Sequence, residues 1–415
     1  MTVWRLRRAP GTLDCPPHSV KTAGEMSKHA PFLPERPGDA GSAILDAARE
    51  VAVERGLGQL SLRVVAERAG VSVGTISYRI GDRGALIESL ARREVVLTEA
   101  EASRWADRMG GIAPGNIDLL SDMVRAWLAA CGHANRVPAV MQSELLSAAY
   151  RDARLAEPVA AITGAHTDMW GAMLDGWDEA DRLARRIAAY CADERPFSTL
   201  LGADTDYGLL RASTIRALLR DRNAAPSSTT DAWHMRLVAR LEEPARAAFD
   251  AGEPPHGAKA AIAEHIADML IAGGIETLSH RSIAQALAMP VSSLAHHFPA
   301  QRDILLGGVE ALYRRLRSEV QHAAGERPAG ATVIVLGHEM ALAARREPGF
   351  LPFAIDMRRR RAENVHPIIS HILTGSEGAD HALTQAYVMA MIGFGLGGLM
   401  GRERRYDYEE ILRRI

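Results

Sequence analysis

Glu363 and His366 stand three residues apart, the spacing by which one turn of helix offers a carboxylate and an imidazole to a metal ion. Such a centre needs a second pair and two further glutamates, and no matching pair occurs. His338, His366, His371 and His381 are therefore read as surface or core histidines. The stretch GFGLGG, Gly393 to Gly398, matches the dinucleotide fingerprint letter for letter, but no strand pattern precedes it and no βαβ pattern surrounds it. It reads better as a helix whose small residues let another helix approach closely. Cys15, Cys131 and Cys191 are odd in number, widely spaced and part of no CxxC pair, so they signal neither a disulfide framework nor zinc. No Ser-His-Asp or Cys-His set is suggested by spacing. The expectation is no metal, no cofactor and no catalytic residue, hence no enzyme.

Two other segments carry the chemistry of recognition. Gly74, Thr75 and Ser77, and again Ser292, Ser293 and Ala295, are short side chains that let a helix approach the DNA major groove, where base edges carry a unique donor and acceptor pattern. Tyr78 and Arg79 in the first segment, and His296 and His297 in the second, can reach phosphate or base. Arg63 and Arg281, near the start of the preceding short helix, and the free N–H groups there suit a phosphate oxygen.

The elements that must position these residues follow from periodicity. In SAILDAAREVAVERG the apolar Ile44, Leu45, Ala48, Val51 and Ala52 recur at helical spacing, Ser42 can cap the start and Gly56 can close the end. LSLRVVAERAG is a short helix capped by Ser61 and stopped at Gly70. VSVGTISYRI begins another, capped by Ser72 after a turn of three or four residues. Two short helices joined by so tight a turn, with small Ala66 where they cross, make a helix-turn-helix. A long helix, DRGALIESLARREVVLTEAEASRWADRM, follows.

The sequence lines up with itself at an offset of 218 residues. Ala43 meets Ala261, Ile44 meets Ile262, Gly56 meets Gly274, Leu60 meets Leu278, Ser61 meets Ser279, Arg63 meets Arg281, Ala66 meets Ala284 and Val73 meets Val291. The order of helix, glycine, short helix, tight turn and short helix recurs, which reads as a duplication.

LSLRVVAERAGVSVGTISYRIGDRGALI resembles the DNA-binding region of the TetR family of bacterial repressors, and LSHRSIAQALAMPVSSLAHHFPAQRDIL resembles it too. The resemblance implies a DNA operator as partner and an all-α ligand domain after each module. It places Arg83 where the family usually has a phosphate-binding lysine. Both copies depart from the pattern: the aromatic pair is Ser77-Tyr78 in the first and Ala295-His296 in the second, so the first, usually phosphate-contacting tyrosine is absent. The second copy also has Gln301 at the basic position and Ala288 for the turn glycine. The first copy is expected to bind DNA more strongly, and the second to bind weakly or to play a structural part.

Residues 43–97 hold eight arginines against seven acids, a net charge of +1 that is low for a DNA reader. Two copies about one helical turn apart, roughly 34–36 Å, would supply avidity. One duplicated chain could carry both as an intrachain pseudo-dimer, or a homodimer could present four heads. Overall the 49 basic residues nearly balance 51 acids, and 47% hydrophobic content suits a folded chain rather than a disordered one.

The expected fold class is all-α, with two TetR-like units. Residues 1–40, rich in proline, form a disordered tail whose true start is suspected at Met26; 41–97 form the first helix-turn-helix domain and 98–250 the first helical ligand-binding domain. A linker at 251–257 leads to the second helix-turn-helix domain at 258–320 and a shorter helical regulatory domain at 321–415. Breakers are expected at 110–115, 195–208 and 221–230. Trp105, Met123, Trp127, Met141, Trp170 and Met173 are candidates to line a pocket for a small-molecule effector, although core packing explains them equally well. The run Arg358 to Arg361 reads as a solvated helix face. With no apolar leader and no span of about 20 apolar residues, the chain is expected to be cytoplasmic with no membrane partner. The function expected is a ligand-responsive transcriptional repressor; the alternative is a ligand-binding or scaffold protein whose DNA heads have decayed.

Overall fold

The computed structural model describes residues 40–109, 117–220, 228–242, 256–275, 278–322, 331–375, 378–399 and 408–415. The proline-rich tail, Met26 and most of the 251–257 linker lie outside them. Every regular element among the described residues is helical. The first head comprises α1 (Ala40–Arg55), α2 (Leu62–Ala69), α3 (Val73–Arg79) and the long α4 (Arg83–Met109), with a 3-10 turn at Leu57–Gln59. The body helices that follow are α5 (Ile117–Gly132), α6 (Arg136–Ala149), α7 (Ala156–Met173), α8 (Ala180–Leu201), α9 (Thr205–Leu219) and α10 (Ser228–Arg240). Next come α11 (Gly257–Gly273), α12 (His280–Ala286), α13 (Val291–His297) and α14 (Gln301–His322). The chain ends with α15 (Ala331–Ala344), α16 (Leu351–Arg359), α17 (His366–Thr374), α18 (His381–Phe394) and α19 (Tyr408–Arg414).

Helix α1 begins two residues before Ser42, which therefore lies in the first turn rather than at the cap. The break expected from 195 also moves: α8 runs through Pro196 to Leu201. Pro196 removes one backbone donor, but every residue from Ile187 to Thr199 is buried, so contacts on all sides hold the helix in register.

Helix α8 is the centre of the molecule, packed against α5, α6, α7, α15 and α18. Its crossing with α18 is close. A Cβ on Gly393 would stand 1.8 Å from the Ala189 carbonyl oxygen, so only glycine fits there. That is the role expected of the glycine-rich segment; the helix gives way to a π turn at Gly395–Leu399.

Two apolar cores form, and each draws on both halves of the chain. One joins the first head and α5–α8 to Val335, Ile369, Leu383 and Met389. The other sets Phe197, Leu201, Tyr207 and Leu210 among α11–α16. Between the halves lies a buried polar seam. Arg358 donates to Glu194 at 2.6 Å, with both side chains at most 1% exposed, and to the Gln385 amide oxygen at 2.9 Å. Tyr207 donates to Glu194 at 2.6 Å, and Asp193 accepts from Arg361 at 3.0 Å and pairs with His338 at 2.7 Å. The Arg358 to Arg361 run is thus not a solvated face: Arg358 and Arg359 are buried and Arg361 nearly so, because their acids come from α8 and from α16 itself.

A second internal correspondence runs through the body at an offset of 195 residues. Helix α6, the 3-10 turn Ala153–Leu155 and the start of α7 correspond residue for residue to α15, the 3-10 turn Pro348–Phe350 and the start of α16. Asp152 caps the first turn by accepting from Arg154 N, as Glu347 caps the second by accepting from Gly349 N. Across the seam Arg346 donates to Glu144 beside Gly56, while Arg151 donates to Glu339 beside Gly274. The pairs are exchanged: each joins a glutamate of one half to an arginine of the other.

Candidate nucleic-acid interface

Helices α2 and α3 owe their relative placement to a few residues. Ser61 accepts from Val64 N at 3.3 Å and Ser72 from Thr75 N at 3.0 Å, so each short helix has one orphan backbone donor satisfied by its cap. Between them Gly70 takes a left-handed φ of 67°, and Val71 N reaches back to the Ala66 carbonyl at 3.0 Å. Ile76, fully buried, pins the inner face of α3.

The opposite face of α3 is open. Gly74, Ser77, Tyr78 and Arg79 are exposed, Tyr78 to 92%, and Thr75 is half-buried. A tyrosine left in water to that extent does nothing for the core. Arg63 is exposed at the start of α2. The module's low net charge does not describe this face, because Arg49, Arg68, Arg92 and Arg93 are already paired with Glu94, Glu54, Glu88 and Asp46. Arg83 is engaged differently from the expectation: its Nε donates to the Leu60 carbonyl at 2.7 Å and its Nη2 to those of Leu57 and Gly58. That clamp fastens α4 to the turn before α2.

Helices α11–α14 reproduce this geometry at the 218-residue offset. Gln301 Nε2 donates to the Leu278 carbonyl at 2.6 Å, where Arg83 meets Leu60. Met289 N reaches Ala284 at 2.9 Å, where Val71 meets Ala66, and Leu294 is buried as Ile76 is. Ser279 caps α12 in a capping box with Ser282. The turn is less relaxed: Ala288 takes φ 50°, a left-handed conformation that glycine adopts without strain. Pro290 stands at the cap of α13 and provides no side-chain bond. Arg281, Ser292, Ser293 and His296 are exposed and His297 is half-buried, its ring 5.4 Å from that of His296.

In the first module a short helix thus presents small and hydrogen-bonding side chains outward on a rigid base, the arrangement of a helix-turn-helix, and α13 presents Ser292, Ser293 and His296 outward in a similar way. Residues 44–90 match the family model for bacterial regulatory proteins of the tetR family. The first head is thus similar, over those residues, to the DNA-binding domain of tetR-family regulatory proteins. No curated protein matches the chain.

In the body, Met123, Trp127, Met141, Trp170 and Met173 are buried, and Trp105 is half-buried beside Arg108. A cavity of about 10 Å³ lies near them, but none of the six lines it; Gln142, Thr163, His166 and Arg195 do, with apolar neighbours. A larger cleft of about 350 Å³ opens between α10 and α16–α18, lined by His234, Glu242, Arg359, Arg360, Glu363 and His366 among others. Glu363 there pairs with Arg360, and His366 stacks on His381 at 4.1 Å. Sequence reasoning missed Arg195, the seam acids Asp193 and Glu194, and the Glu144 and Glu339 pairs. The repeated string Glu-x-x-x-Ala-Ala-x-Arg, at 144–151 and 339–346, was the one legible signal. No helix among the described residues is long and apolar enough to cross a membrane.

Proposed function

We propose that the chain is a ligand-responsive transcriptional repressor whose two reading heads form an intrachain pseudo-dimer on one operator. The exposed face of α3, with Tyr78 at 92% exposure above a fully buried Ile76, is the observation that carries the DNA-binding role. The correspondences at 218 and 195 residues support two units. So do the exchanged pairs Glu144 with Arg346 and Glu339 with Arg151, since at a two-fold interface residue i meets j and j meets i. Because the heads differ in sequence, the operator read would be asymmetric.

Regulation has a plain route in this arrangement. Helix α7 packs along α4, the helix that carries the first head, so a ligand preferring one placement of α7 biases the head. A homodimer with four heads is the rival assembly, and one chain per operator by light scattering separates them. The second reading, a scaffold with decayed heads, is favoured at the second head alone, by the strained Ala288 and the capless Pro290.

The test is the affinity of purified protein for its own upstream intergenic DNA as salt is raised, beside an Arg63→Ala/Tyr78→Ala variant. Sequence-specific, salt-dependent binding that the variant loses supports the repressor. Absent or unaltered binding leaves the scaffold reading.

A further inference from the structure

Three consecutive charges on α8 are buried in the middle of the molecule: Asp193, Glu194 and Arg195. The first two face the other half of the chain and find counter-charges there in Arg361 and Arg358. Arg195, turned about 100° further round the helix, faces α5 and α7 and meets no carboxylate within ion-pair distance among the described residues. It is 4% exposed. Among the described residues its one hydrogen bond is a long one, 3.5 Å, from Nη2 to His166 Nδ1, and its Nε meets no acceptor; the guanidinium lies 5.6 Å over the Trp127 ring. Leaving a buried cation without a counter-charge is strongly unfavourable.

The surroundings do not supply a negative charge, and they add donors. Burial pushes the Cys131 thiol up to about 12 and the Cys191 thiol well above its ordinary value, so neither serves as a thiolate. Glu101, the acid whose charge Arg195 feels, accepts from the Asn135 amide instead. His166, buried, is held neutral chiefly by burial and then by Arg195 itself; with Nδ1 accepting, its proton sits on Nε2. One turn further along α7 the buried Trp170 Nε1 has no acceptor. Arg195 and His166 border the small cavity with Gln142 and Thr163, and the remaining wall is apolar: Leu146, Val159, Ile162, Ala188 and Ala192.

We propose that Arg195 anchors a buried anion site between α6, α7 and α8, beside Trp127 of α5, and that its occupant is the carboxylate of a small hydrophobic acid. The cavity, about 10 Å³, holds one water-sized group. One carboxylate oxygen seats there against Arg195 and His166, and the rest of the acid enters as α6 and α7 part, so binding selects that opened arrangement. For its regulatory meaning, though not for binding, this rests on the ligand-responsive reading above.

The experiment is thermal unfolding of the full chain titrated with sodium benzoate, sodium acetate and sodium chloride at constant ionic strength, for wild type, Arg195→Lys and Arg195→Met. Benzoate is expected to raise the wild-type midpoint saturably by a few degrees, more than acetate does, and to leave Arg195→Met unmoved. Arg195→Met without added anion is expected to be at least as stable as wild type, because it removes the unpaired charge. Equal shifts in wild type and Arg195→Met, no shift in any wild-type titration, or chloride matching benzoate would each overturn the assignment. Anisotropy of a labelled operator fragment keeps the two readings apart: benzoate that binds through Arg195 yet leaves DNA affinity unaltered upholds the site and removes only its role as an effector site.

Discussion

Tyr78 and Ile76 are two residues apart on a seven-residue helix and have opposite fates, one in water and one in the core. That contrast separates a binding defect from a folding defect. Tyr78→Ala should leave the unfolding midpoint unaltered while weakening specific DNA binding by about 1–3 kcal/mol if the ring or hydroxyl reads a base, whereas Arg63→Ala should weaken binding to all sequences alike and lower the salt slope by about one. Ile76→Ala should instead destabilise the head by about 2–5 kcal/mol. Titrating labelled DNA at three salt concentrations beside a melting curve checks all three. A loss of stability in Tyr78→Ala would mean that the exposed ring supports the fold after all.

Among the elements, the tight turn between α2 and α3 differs from the corresponding turn between α12 and α13. Gly70 and Ala288 hold equivalent left-handed positions, but alanine bears a Cβ penalty there of about 1–2 kcal/mol. Ala288→Gly should therefore stabilise the second head, and Gly70→Ala should destabilise the first; hydrogen exchange of α12–α13 and of α2–α3 reads each locally. The crossing of α8 and α18 is stricter. Gly393→Ala places a methyl on the Ala189 carbonyl, and with backbone on both sides it should cost at least about 1–3 kcal/mol, visible as a lowered denaturant midpoint.

For the whole molecule, buried histidines tie stability to pH. Burial, with Arg358 as a secondary cause, pulls His234 from an ordinary 6.5 to about 3, and His166 is lowered in the same direction. The unfolded chain takes up a proton near pH 6.5 that the folded chain refuses until about 3. Stability is therefore complete above pH 6.5 and falls as the pH drops through that window, by up to roughly 1.4 kcal/mol per unit for each such group. Glu94, Glu101 and Asp356, raised chiefly by burial, act in the opposite sense. The comparison that isolates His234 is His234→Gln: its midpoint should fall less than that of wild type between pH 6.5 and 5, and parallel curves would refute the assignment.

The helices, the first head's caps at Ser61 and Ser72 and the outward face of α3 were legible in the sequence, because caps, turn glycines and periodicity act within a few residues. The Arg358–Arg361 run was misread for the converse reason: in Arg358 with Glu194 and Arg361 with Asp193 the partners stand 164 and 168 residues apart. Burial of a charge depends on such distant partners, and no local pattern encodes them. The same holds for the exchanged glutamate and arginine pairs and for Arg195, whose isolation is visible only when its neighbours are in place. The sequence by itself determined the elements and the chemistry they display outward. Only tertiary structure decided which charges meet across the seam and which is left without a partner, since an ion pair's energy depends on separation and burial in space rather than on separation along the chain.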